Sequence, residues 1–105
     1  MVEEHYPYAE LEITFLRPEE GGRTQPPVLD DHRYRPHLRV PPDDAMLGVE
    51  FVDGPDGPAP VAVAIFATVR LLYEPAVDYS ALKVGSPMEV VEGTRVVARG
   101  RVSRR

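Results

Sequence analysis

The residue types that could do chemistry in this chain are histidine, aspartate, serine and glycine, and their spacing decides which chemistry stays open. His32 and His37 lie five residues apart among Arg33, Arg35 and Arg39. Two imidazoles can hold a metal, but this spacing fits no zinc pattern, and the neighbouring guanidiniums repel a dication. The segment reads instead as a basic patch or a solvated loop. The carboxylates Asp30, Asp31, Asp43, Asp44, Asp53 and Asp56 suggest calcium or acid–base work. All fall in proline- or glycine-rich stretches, where aspartate serves turn geometry. Ser80, Ser86 and Ser103 have no evident base and no Gly-x-Ser-x-Gly setting. Gly21-Gly22 fits a tight turn better than an anion site. The single lysine, Lys83, stands in Ala-Leu-Lys-Val-Gly, which is not a phosphate-binding loop. No catalytic residue, metal or cofactor is expected, and neither is nucleotide hydrolysis.

Composition narrows the setting. The chain has 105 residues, 43% of them apolar, enough for one core. It has no cysteine, so disulfides and thiolate metal sites are excluded. A reducing cytoplasm is expected, because small secreted domains often need disulfide staples. The acidic start, Met-Val-Glu-Glu-His, does not resemble a signal peptide. The longest apolar-rich stretch, residues 61–73, is too short to span a bilayer, so no membrane partner is expected. The net charge is −5, unlike a generic nucleic-acid binder. Acid nevertheless crowds the beginning (Glu3, Glu4, Glu10, Glu12, Glu19, Glu20) and base the end (Arg95, Arg99, Arg101, Arg104, Arg105). Either an acidic and a basic strand lie together and neutralise each other, or the arginines form a face for phosphates.

The elements that must position these residues read as strands. Residues 1–8 suggest a polar arm, and residues 9–105 one domain. In 9–16, Ala9, Leu11, Ile13 and Phe15 alternate with Glu10, Glu12 and Thr14, the pattern of a half-buried strand. The glycines and prolines of 19–36 admit no regular element. Further strands are expected at 37–40, 46–52 and 61–73. In the last of these, large side chains line one face and mostly small ones the other, as for a curved sheet covered in part on its second side. One helical turn is expected at 79–83. Strands at 88–91 and 95–102 form a hairpin across Glu92-Gly93-Thr94. In the last strand Val96, Ala98, Gly100 and Val102 share a face opposite Val97, Arg99 and Arg101. Gly100 in mid-strand suggests a close backbone approach. About six short strands without an amphipathic helix predict an all-β barrel or sandwich.

Two stretches together resemble the C-terminal β-barrel, the third domain, of translation elongation factor Tu. Glu19-Glu20-Gly21-Gly22-Arg23-Thr24, then proline, then Tyr34-Arg35-Pro36 resembles that family's EGGR-x-TP…YRP run. Residues 91–102 resemble its terminal EGGRTVGAGVV hairpin, with Thr94 in place of a glycine. The resemblance covers about residues 9–102 and implies a closed six-stranded antiparallel β-barrel. In the family this barrel packs on a GTPase domain, touches the T-stem of tRNA and docks an exchange factor. By resemblance, Glu92 and Gly93 match hairpin positions near the T-stem. His37 stands where the family has glutamine, and Val91 where it has arginine. Pro41-Pro42-Asp43-Asp44 adds negative charge beside that contact.

The function expected is therefore a non-catalytic interaction module that binds a protein partner or a second copy of itself. The alternatives are a tRNA-binding module and a regulator that mimics the elongation factor. The residues singled out for partner or RNA binding are Arg23, Arg35, His37, Arg39, Glu92, Gly93, Arg95, Arg99 and Arg101. For Arg23 and Arg35 a second role is open: holding the long loop to carboxylates on the barrel.

Overall fold

Alternation of large apolar and polar side chains builds the frame. The computed structural model describes residues 7–105. In β1 (Tyr8–Phe15), Ala9, Leu11, Ile13 and Phe15 are buried, as the pattern requires. The remaining strands are β2 (His37–Arg39), β3 (Leu47–Asp53), β4 (Ala64–Leu71), β5 (Pro87–Glu92) and β6 (Arg95–Arg104). They close into a six-stranded antiparallel barrel in the order β1-β4-β3-β2-β5-β6. A barrel of six strands has no lumen to spare, and inward side chains such as Leu11, Leu38, Phe51, Val69 and Val90 fill it. Loop residues close the ends. Leu29 is fully buried against Gly54, where β3 ends. Tyr79 donates its hydroxyl to the Gly48 carbonyl at the start of β3 (2.6 Å).

Several expectations shift. Tyr8 already belongs to β1, and residues 1–6 of the expected arm lie outside the described residues. Within the long 19–36 excursion, Pro18–Glu20 forms one 3-10 turn, and Val28 bridges Pro58. The helical turn expected at 79–83 is a single hydrogen-bonded turn, Leu82 N–H to Tyr79 C=O. The strand expected over 61–73 is shorter, because Ala62 sits at φ +62° and turns the chain before β4 begins. Its second face is covered only towards its end: Ala64 and Phe66 are exposed, and Thr68 and Arg70 are half-buried. Val97 was assigned to the outer face but is fully buried. A bulge between Val90 and Val91 explains this. Val91 faces Val96 and Val90 faces Ala98, which leaves Val97 as the extra residue.

Charge and backbone geometry meet at the β1–β6 seam. Glu10 faces Arg104 and Glu12 faces Arg101, so the acidic and basic ends of the sequence do lie side by side. Ile13 faces Gly100. A Cβ at Gly100 would lie 1.9 Å from the Glu12 carbonyl oxygen and 2.8 Å from the Ile13 Cα. Only glycine fits there, because the obstacle is the partner backbone and cannot rotate away. Gly100→Ala is expected to lower stability by about 3 kcal/mol or to prevent closure altogether. Urea denaturation checks this; a loss under about 1 kcal/mol would show that the seam can relax.

Candidate functional site

The residues singled out in the sequence do not converge on one site. Six of the nine (Arg23, Arg35, Arg39, Glu92, Gly93 and Arg99) fall into three clusters, each built on a carboxylate. The first joins the long loop to the tip of the β5–β6 hairpin. Arg23 donates to Glu92 Oε2 at 2.6 Å and to the Gln25 carbonyl at 2.8 Å. Tyr34 donates its hydroxyl to the same Glu92 oxygen at 2.5 Å. The Arg23 guanidinium lies 5.2 Å from the Tyr34 ring centre, close enough for a cation–π contact. The Tyr34 ring stacks on Phe51, with centroids 5.3 Å apart. Burial and then the Glu92 carboxylate push the Tyr34 hydroxyl well above its ordinary range, so it remains a donor at neutral pH. Burial pulls Arg23 down, but Glu92 outweighs this and raises it. Gly93 takes φ +62° in the two-residue turn that aims Glu92 at the loop.

The second cluster lies on the outer face of β2, β5 and β6. Arg39 donates from Nε and from Nη2 to Glu89 Oε1 at 2.9 and 2.6 Å. Arg99 approaches the other Glu89 oxygen at 3.6 Å. The register makes this pairing unavoidable, because Glu89 stands opposite Arg39 on one side and Arg99 on the other. His37 is half-buried between Gly48 and Val91. Arg95 is exposed opposite Glu92, and Arg101 is exposed opposite Glu12.

The third cluster surrounds a carboxylate that sequence reasoning missed. Glu50 alternates along β3 with the buried Val49 and Phe51, on the opposite face, yet it is only 3% exposed. The chain at 34–36 runs beside β3: Phe51 N–H donates to the Tyr34 carbonyl and Val49 N–H to the Pro36 carbonyl. That placement carries Arg35 over the outer face, where its Nη2 reaches Glu50 at 2.8 Å. Arg70, opposite Glu50 in register, and His32 each lie 3.4 Å away. Burial pushes the Glu50 carboxyl up, but Arg70, Arg35 and His32 outweigh it and hold the group below its ordinary 4.5. Arg23 and Arg35 thus both tie the long loop to barrel carboxylates. The signal for this was the motif arginine itself; nothing in the sequence named its partner.

Among the described residues, no three His, Cys, Asp or Glu side chains are placed to hold a metal ion. No helix among them is long and apolar enough to cross a membrane. Several large apolar side chains are exposed: Met46, Val63, Phe66, Tyr73 and Val84. Phe66 (58%) lies on β4 and Val63 (55%) just before it. No protein-family model matches the chain, and no curated protein matches it.

Two outcomes follow from the clusters. Tyr34→Phe removes a donor from a half-buried carboxylate and is expected to cost about 1–2 kcal/mol in urea unfolding. Glu50→Gln leaves the surrounding cations without their counter-charge and is expected to cost about 2 kcal/mol at neutral pH. The sign of its pH dependence is fixed. The Glu50 carboxyl is lower in the folded than in the unfolded chain, so its contribution is complete above 4.5 and fades as pH falls below that value. Stability measured across that range should fall more steeply for the parent protein than for Glu50→Gln. Parallel acid limbs would remove Glu50 as the cause.

Proposed function

We propose that this chain is a non-catalytic docking module, a β-barrel of the elongation factor Tu C-terminal type that receives a protein partner on the outer face of β4. The observation that carries the docking reading is the exposure of Phe66, with Ala64 beside it, on the outer face of β4, and of Val63 just before the strand begins. A contiguous apolar stretch left exposed is a common mark of a covered surface. No charged residue interrupts the chain from Gly57 to Val69.

The family likeness is supported by how the motif residues meet. Arg23 from the glycine-rich run, Tyr34 from the Tyr-Arg-Pro run and Glu92 from the terminal hairpin contact one another. These positions hold the fold together, so their resemblance speaks for fold more than for an inherited ligand. The cysteine-free composition favours the cytoplasm as the place of action.

Protein is preferred to RNA because the arginines are largely matched. Arg23, Arg35, Arg39, Arg70 and Arg99 each have a glutamate partner. Arg101 and Arg104 stand opposite Glu12 and Glu10. A phosphate backbone would have to displace these carboxylates.

The test is affinity capture from the lysate of the source cell by the parent protein and by Phe66→Asp, each with and without RNase. Protein species that survive RNase and disappear with Phe66→Asp are expected. Capture that depends wholly on RNA would overturn the docking reading.

A further inference from the structure

The pairing of β4 is asymmetric. On the β1 side it is continuous, from Tyr8 opposite Arg70 to Thr14 opposite Ala64. On the other side β3 accompanies β4 only from Leu71 back to Thr68, which faces Asp53. Gly54 then leads the chain away. The segment from Ala64 to Ala67 therefore has a strand neighbour on one side alone.

Two backbone hydrogen bonds fix which groups face the vacant side. Leu71 N–H donates to the Pro7 carbonyl, on the β1 side, at 2.7 Å. Leu72 N–H donates to the Gly48 carbonyl, on the β3 side, at 3.2 Å. Backbone direction alternates along a strand, and the β1–β4 register has no shift. Odd-numbered residues of β4 thus pair with β1, and even-numbered ones turn towards β3. Beyond the last residue of β3, the N–H and C=O groups of Ala64 and Phe66 point along the edge. Among the described residues, no loop backbone bond ends on either of them. Native barrels normally leave no such edge, because an unpaired strand invites pairing with another chain.

The surroundings state what kind of chain would fit. A cleft of about 200 Å³ opens where β3 departs, lined by Glu10, Asp53, Gly54, Phe66, Ala67 and Thr68. Of its two carboxylates, Glu10 accepts from the Ser103 hydroxyl at 3.0 Å and stands opposite Arg104, so Asp53 is the one that faces a partner. Phe66, in the lining itself, offers apolar contact.

We infer that the first half of β4 is a strand-addition site for an extended peptide of a protein partner, which places an apolar side chain on Phe66 and a lysine or arginine against Asp53. Main-chain hydrogen bonds supply the pairing, and the flanking pockets select the side chains. A second copy of this chain fits less well, because its own edge, residues 57–69, carries no lysine or arginine to meet Asp53. The inference rests on the docking reading above and specifies its chemistry.

The first measurement is amide hydrogen exchange of the free protein. Ala64 and Phe66 should exchange fast, and Ile65 and Ala67, bonded to β1, slowly. The second uses a phage-displayed library of linear peptides. Selected sequences should carry an apolar residue and a Lys or Arg in extended alternation, and should slow exchange at Ala64 and Phe66. Ala64→Pro removes only an outward N–H at the first residue of β4, a position that tolerates proline. It should weaken the selected peptides about tenfold. Phe66→Asp should weaken them more, while Asp44→Ser, which removes an acidic charge from the β2–β3 loop, should leave them unchanged. Slow exchange at Ala64 and Phe66 in the free protein, equal binding to Ala64→Pro, or a library without binders would each overturn strand addition. So would self-association through this edge in place of peptide binding. A partner that survives RNase and ignores Ala64→Pro would keep the docking reading and sink this one.

Discussion

Closure of the first strand onto the last is the constraint on which the remainder of the structure depends. Six strands make a narrow barrel, and β1 and β6 must approach until the Gly100 Cα sits against the Glu12 carbonyl. A side chain there would hold the seam apart. With the seam closed, Leu11, Ile13, Ala98 and Val102 point into one enclosed core. The same pairing sets Glu10 opposite Arg104 and Glu12 opposite Arg101, so the uneven charge of the sequence becomes an even surface. Backbone fit and charge balance at the seam are two results of one register.

A second principle governs the long loop. Residues 19–36 have no repeating hydrogen-bond pattern of their own beyond one 3-10 turn. Buried backbone needs partners, and the segment at 34–36 finds them along β3. Glu92 and Glu50 then fix the loop from two sides, through Arg23 and Tyr34 and through Arg35. Such part-buried pairs contribute little net stability compared with apolar packing, but removing one member leaves a charge exposed to a poor solvent. Their role is to specify where the loop lies.

The sequence made the frame legible where one physical signal dominated. Alternation in 9–16 located β1, and Gly93 located the hairpin turn. Gly100 announced a close approach because no other residue gives up a side chain in mid-strand without cause. Legibility failed where two signals had to combine across the chain. Glu50 obeys strand alternation, yet the loop that carries Arg35, fifteen residues upstream, covers it, and no local pattern encodes that cover. Val97 was misplaced because a bulge adds a residue without any compositional mark. Of the proposed binding residues, the arginines were visible as charges, but their glutamate partners came only with register. Phe66 was visible as one apolar residue among many, and only the early end of β3 set it apart.

The seam also bears on how the chain reaches its fold. The β5–β6 hairpin closes across two residues, and hairpins of that kind form in about 1–10 μs. Glu10 and Arg104 meet across nearly the whole described chain. Bringing them together costs loop-closure entropy before any seam contact is made. Topologies dominated by such distant pairings fold in roughly milliseconds to seconds. The rate of folding is therefore set by the distant pairing rather than by the local hairpin. The glutamates of β1 and the arginines of β6 carry opposite charge, so long-range attraction works in the same direction as the closure that the register demands.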